Sequence, residues 1–163
     1  MGNVIKPNAI EYPVMCFGDD LAEVLLNEEE LTICGRSDLG KKGWFDGLQL
    51  VDSAGRRYRV VKAKKLHAIG PFWGFRLFLS QRIKVDLGLE LIDDPTPLEA
   101  VKQLLWRASA EWRGWESAGV DDELRDAAKR ASTVADLIRI MCDAQRRSFG
   151  PNAGTRGRTT TQS

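Results

Sequence analysis

Residues 82–92, RIKVDLGLELI, decide the fold class because they carry the most regular pattern in the chain. Five aliphatic residues occupy alternate positions and share one face of an extended chain: Ile83, Val85, Leu87, Leu89 and Leu91. The opposite face is polar apart from one glycine: Lys84, Asp86, Gly88 and Glu90. Strict alternation predicts a strand that is buried on one side and wet on the other, which is typical of an antiparallel sheet.

Further strands are predicted before this one. Residues 12–17 (YPVMCF) and 31–35 (LTICG) are short apolar runs, and Pro13 restricts the first to a sheet edge or a strand start. Residues 41–53 and 56–66 flank a hairpin turn, in which Asp52 is expected to bond its own turn.

Two other segments before residue 82 are less regular. Residues 75–79 (FRLFL) are expected to pair with 82–92. Residues 19–30 fit either a helix or a strand, and we favour a short helix capped by Asp19 or Asp20.

Helical spacing replaces the two-residue period after residue 95. Thr96, Pro97 and Glu99 predict an N-cap, a first helical residue and a capping box, respectively. A shorter charged helix follows, and Ser132 or Thr133 is expected to cap a third. The sequence therefore predicts an α+β fold: a mostly antiparallel sheet over about residues 10–92, followed by a C-terminal group of about three helices that pack on it.

Length and composition predict one domain in a reducing compartment. The chain has 163 residues, which suits a single domain over residues 1–148, and residues 149–163 are expected to form a disordered basic tail. No signal peptide or membrane-spanning run is visible, and the three cysteines are widely spaced in apolar contexts. We therefore expect a cytoplasmic protein that does not bind membranes.

Charge is segregated along the chain although the net charge is only +1. Residues 39–85 hold eleven basic and two acidic residues, whereas residues 1–38 hold two basic and eight acidic ones. These blocks either neutralise each other across neighbouring strands or form a partner surface. The acidic candidates for partner binding are Glu28, Glu29, Glu30, Asp93 and Asp94. The basic candidates, for nucleic acid, are Arg56, Arg57, Tyr58, Arg59, Lys62, Lys64 and Lys65.

Residues 70–79, GPFWGFRLFL, concentrate four aromatic residues. Phe72, Trp73 and Arg76 are candidates for partner binding, since Trp and Arg are enriched in interface hot spots. Their exposure decides between a binding edge and a scaffold strand.

Sequence patterns that support catalysis are missing. His67 is the single histidine, and no nucleophile elbow, phosphate loop or metal-ligand spacing surrounds it. We expect no catalytic residues, no metal and no cofactor.

These observations together favour a non-enzymatic protein-binding module of the bacterial cytosol. Its sharper form is an immunity protein that neutralises a cognate toxin by direct binding. The alternatives are a nucleic-acid or ribonucleoprotein accessory factor that uses residues 56–65, and a small enzyme that uses buried carboxylates.

Overall fold

The chain is described here from a computed structural model. It describes residues 3–18, 22–35, 45, 47–69, 82–111 and 122–149. Several predictions lie outside these residues. They are the helix cap at Asp19 or Asp20, residues 41–44 and 46 of the segment before the Asp52 turn, the candidates Phe72, Trp73 and Arg76, the proposed strand 75–79, and the tail beyond residue 149.

The described residues form one seven-stranded sheet in which every pair is antiparallel. The strands are β1 (Val4–Ile5), β2 (Val14–Phe17), β3 (Ala22–Leu25), β4 (Ile33–Gly35), β5 (Gln49–Val51), β6 (Arg57–Ile69) and β7 (Arg82–Asp93). Their order is β1-β7-β6-β5-β2-β3, and β4 also pairs with β7. The predicted strand over residues 82–92 is thus confirmed as β7, which lies second in the sheet order and pairs with β1, β4 and β6.

Four α-helices are described: α1 (Glu28–Thr32), α2 (Leu98–Glu111), α3 (Asp122–Arg130) and α4 (Val134–Phe149). A short 3₁₀ helix, Pro7–Ala9, follows β1. Three of the four α-helices come after the sheet, so the α+β prediction is confirmed. Within the described ranges, no helix combines the length and the apolar character that a membrane crossing requires.

The sheet separates two hydrophobic cores because β2 and β5 are buried on both faces. Met15 and Phe17 of β2 pack with residues of α2–α4 in what we call the helix core. Val14 and Cys16, which alternate with them, point into the strand core. The strand core also contains residues from five other elements: Leu25, Leu31, Leu50, Tyr58, Val60, Ile83, Val85, Leu87 and Leu89.

The described part of this segment, residues 22–30, differs from the favoured prediction of one short helix. Ala22–Leu25 is strand β3, and α1 starts only at Glu28. Asn27 is the N-cap, and its side chain accepts a hydrogen bond from the Glu30 amide at 3.0 Å. Pairing of β3 with β2 and burial of Ala22, Val24 and Leu25 outweigh the helical propensity of the segment. Leu31 and Thr32, predicted as strand, complete α1.

Two predicted helix caps have opposite outcomes. Thr133 caps α4, because its hydroxyl accepts from the Asp136 amide at 3.0 Å, while the Asp136 carboxylate accepts from the Ser132 amide at 3.3 Å. The capping box at Thr96 is wrong. The Thr96 amide donates to the Gly55 carbonyl at 2.8 Å, and the Thr96 hydroxyl is buried without a hydrogen-bond partner. Docking onto the β5–β6 turn thus takes precedence over capping.

Two polar side chains that carry no sequence signal attach the helices. Gln145 of α4 bonds both the amide and the carbonyl of Val24, each at 2.9 Å, and so covers the edge of β3. Lys102 of α2 is only 7% exposed and donates to the carbonyls of Lys129 and Ala131, at the end of α3.

Candidate functional site

A buried aspartate organises the turn that leads into β6. Asp52 has no exposed surface, and its carboxylate accepts from the amides of Glu11, Ala54 and Arg56 at 2.9–3.3 Å. It also accepts from the Arg56 guanidinium at 2.8–3.0 Å and from the Tyr58 hydroxyl at 3.1 Å. The prediction that Asp52 bonds its own turn is confirmed.

The first residues of β6 are therefore occupied by intramolecular contacts. Arg57 forms an ion pair with Asp93, and Arg59 forms one with Glu90 at 2.7 Å. The nucleic-acid alternative requires Tyr58 to stack on a base, but Tyr58 is only 1% exposed and is not available for stacking. Burial and the neighbouring Asp52 carboxylate raise the pKa of Tyr58 to about 12.

Two bulges change which way the rest of β6 faces. The pairing of β6 with β7 shifts register between Val60 and Lys62, and again between Lys65 and His67. Each shift inserts one extra residue, and an extra residue moves the following side chains to the other face. As a result Lys62 and Lys64 lie opposite Gly88 and Asp86 on the polar face of β7.

On the side of β6 away from β7, the described pairing with β5 and Leu48 ends just before these lysines. The Val60 amide donates to the Leu48 carbonyl at 2.9 Å, and this is the last described contact along that edge. Just before Leu48 the described residues form a turn, in which the Leu48 amide donates to the Phe45 carbonyl at 3.3 Å and Gly47 adopts a φ of +77°. Within the described residues, no strand pairs with this side of β6 after Val60.

We call residues 61–66 the β6 edge. All six side chains are exposed: Val61, Lys62, Ala63, Lys64, Lys65 and Leu66. Val61 and Leu66, the extra residues of the two bulges, are 46% and 53% exposed. The β6 edge therefore combines a lysine row with two large apolar side chains.

Asp86 is the nearest acidic side chain on the polar face. Its carboxylate accepts from the Lys6 ammonium at 2.6 Å, and this bond, together with the charges of Lys62 and Lys64, lowers the pKa of Asp86. Gly88 is required beside it, because a Cβ there would lie 2.8 Å from the Val4 side chain. Three basic residues thus share one carboxylate, which leaves the surface positive.

The acidic candidates have separate structural environments. Glu28, Glu29 and Glu30 form the first turn of α1, where negative charges interact favourably with the helix dipole. The Glu30 carboxylate also accepts from the Leu26 amide at 2.7 Å. Asp93 pairs with Arg57, and Asp94 is exposed in the following bend. No described hydrogen bond or ion pair joins the two clusters.

Groups that could support chemistry are few among the described residues. No cluster of three or more His, Cys, Asp or Glu residues with metal-binding potential occurs in the described ranges. The backbone of His67 pairs with Lys84 in the β6–β7 ladder. Asp52 is the buried carboxylate that the enzyme alternative would use, but its oxygens already accept bonds from the protein itself. Comparison of the chain with protein-family models, curated proteins and solved structures finds no match in any of the three.

Proposed function

We propose that this chain is a non-enzymatic protein-binding module of the bacterial cytoplasm, and in its sharper form an immunity protein that neutralises a toxin by direct binding. The observation that supports this is the β6 edge, a strand segment with exposed lysines and apolar side chains. An exposed strand edge is a template for pairing with another chain. Its exposed apolar side chains, Val61 and Leu66, provide contact area for a protein partner.

The charge pattern supports the same function. Arg57 and Arg59 of β6 are paired with Asp93 and Glu90, whereas the three lysines of the β6 edge form no ion pair with a described residue. A local excess of positive charge accelerates association with an acidic partner and disfavours basic partners.

A nucleic-acid accessory factor is the second candidate, and the same lysine row favours it. Two observations weigh against it. Arg57 and Arg59 are held by Asp93 and Glu90, and Tyr58 is buried. The remaining three lysines give a small phosphate-contacting surface.

A growth-rescue assay tests the proposal. Neighbouring reading frames are expressed one at a time with and without this chain, and we expect the chain to restore growth against one product that is otherwise toxic. The triple variant K62E/K64E/K65E should lose the protection. The matched control R125E/R130E, which reverses exposed charges on α3, should keep it. Absence of any toxic product whose effect the chain relieves would contradict the immunity function.

Binding measured at several salt concentrations separates the second candidate. A nucleic-acid factor should bind a single-stranded oligonucleotide with an affinity that falls steeply as salt rises. We expect no such binding at low salt.

A further inference from the structure

The two sides of β6 are used to different extents. β7 pairs with one side as far as Ile69, whereas on the other side the contacts made by described residues, those of β5 and Leu48, end at Val60. We propose that the β6 edge binds an extended acidic segment of a partner protein as an added β-strand. This inference rests on the proposed function, because it specifies which protein segment the module takes.

The positive charge of the β6 edge is the reason to expect an acidic segment. Lys62 and Lys64 lie on the same face of β6, two residues apart, opposite Gly88 and Asp86. A strand added on the other side would run about 4.8 Å from β6, at the same spacing as β7. Carboxylates at alternate positions of that strand would therefore face Lys62 and Lys64 as cross-strand partners. Lys65, on the opposite face across from Val85, favours a third carboxylate.

The apolar residues of the edge set its limits. Val61 and Leu66 bracket the three lysines, and both are exposed because bulges push them out of the regular ladder. An apolar side chain near each end of the added strand would cover them. The partner segment is thus expected to have acidic residues in alternation at its centre and apolar residues at its ends.

Three other occupants fit the edge less well. A second copy that pairs β6 with β6 would place lysines beside lysines, which is destabilising. Residues 149–163 of this chain contain Arg156 and Arg158 and no acidic residue, so their charge has the wrong sign. A nucleic acid could contact the lysines, but it has no peptide backbone to continue the ladder.

A defined peptide tests this directly on the full chain. The probe is a synthetic peptide of about ten residues with glutamate at alternate central positions, threonine between them and valine near each end. We expect the backbone amide NMR signals of residues 61–66 to shift on titration. K62E/K64E should weaken binding at least about tenfold, and R125E/R130E should leave it within about twofold.

A second probe separates strand pairing from simple charge attraction. The same peptide with every second backbone nitrogen methylated keeps its carboxylates but loses ladder donors on one edge. Two such peptides are needed, one methylated at the odd positions and one at the even positions, so that each blocks one edge of the added strand. At least one of them should bind about tenfold more weakly than the parent peptide. Equal affinity of both methylated peptides and the parent would overturn the proposal.

Three further results would also overturn it. In the first, the parent peptide leaves the signals of residues 61–66 unshifted. In the second, an oligothymidylate of matched charge binds the edge more tightly than the peptide. In the third, K62E/K64E self-associates while keeping full peptide affinity, in which case the lysines only prevent edge-to-edge pairing. The growth-rescue assay distinguishes the two levels. Rescue that survives K62E/K64E/K65E removes the edge proposal and leaves the proposed function, whereas absence of rescue removes the function whatever the peptide does.

Discussion

Strand β6 has two parts in which half of the residues are basic, but their environments differ. In the enclosed part, residues 57–60, β5 and β7 flank the strand, and its two arginines have acidic partners. In the β6 edge, residues 61–66, the described structure supplies β7 alone, and all side chains are exposed. The difference lies in the neighbouring strands, since both parts are equally basic in the sequence.

This comparison shows how a basic stretch divides into scaffold and surface. Asp52 holds the turn, and Asp93 and Glu90 neutralise Arg57 and Arg59 across the strand pair. From Lys62 onward, the same strand carries three lysines, and Asp86 is the acidic side chain that faces the first two on β7. A partner surface is therefore expected where the flanking strand ends, and the enclosed part is expected to stabilise the fold.

The largest expected effect comes from removing Asp52. D52A should lower the free energy of unfolding by about 4 kcal/mol, because it leaves three amides, a tyrosine hydroxyl and the Arg56 guanidinium without their acceptor. Urea unfolding measures this. D52N, which keeps the shape and one acceptor oxygen, should lose less. A loss under about 1 kcal/mol for D52A would show that the enclosed part does not depend on this turn.

Matched leucine truncations compare the two parts directly. Leu89 lies opposite Val60 in the strand core and has no exposed surface, whereas Leu66 is 53% exposed. L89A should cost about 3 kcal/mol of unfolding free energy through lost burial and a cavity. L66A should cost less than about 0.5 kcal/mol, as at other surface positions. Similar costs for both variants would contradict the division of β6 into enclosed and exposed parts.

The smallest expected effect is on stability at neutral pH and comes from the raised pKa of Tyr58, which changes stability with pH only in the alkaline range. Burial and the Asp52 carboxylate raise its pKa to about 12, and burial also raises the pKa of Tyr12. Since the folded pKa lies above the unfolded value near 10, the stabilisation is complete below about pH 10 and is lost as the pH rises toward 12.

Phenolate absorbance measures this titration, because the chain has only two tyrosines. The folded protein should show no ionisation near pH 10, and the protein in denaturant should show two tyrosines ionising there. Y58F serves as the control that leaves Tyr12 alone. A normal titration of the folded protein would mean that the Tyr58 hydroxyl is not enclosed.

The sequence predicted the features that depend on near neighbours. The alternation of residues 82–92, the Asp52 turn and the Thr133 cap are each determined within a few residues, and the structure confirms them. The Thr96 capping box failed because the Thr96 amide bonds Gly55, about forty residues earlier. The strand at Ala22–Leu25 was missed because it depends on pairing with β2.

The candidate site was predicted only in part. The sequence identified Lys62, Lys64 and Lys65 together with Arg56, Arg57, Tyr58 and Arg59, but it could not divide this set. Each bulge needs a register between two strands, and no pattern within β6 alone marks it. The sequence identified the acidic candidates only as charged residues. Only the structure shows that Glu28, Glu29 and Glu30 begin α1 and that Asp93 pairs with Arg57.

By itself, the sequence determined the α+β class, the strand over residues 82–92 and the segregation of charge, because hydrophobic period and composition are local properties. Only the tertiary structure decided which basic residues are neutralised and which are exposed. That outcome depends on where β5 ends beside β6 and on which residues of β7 face it, and both are set by packing between distant parts of the chain.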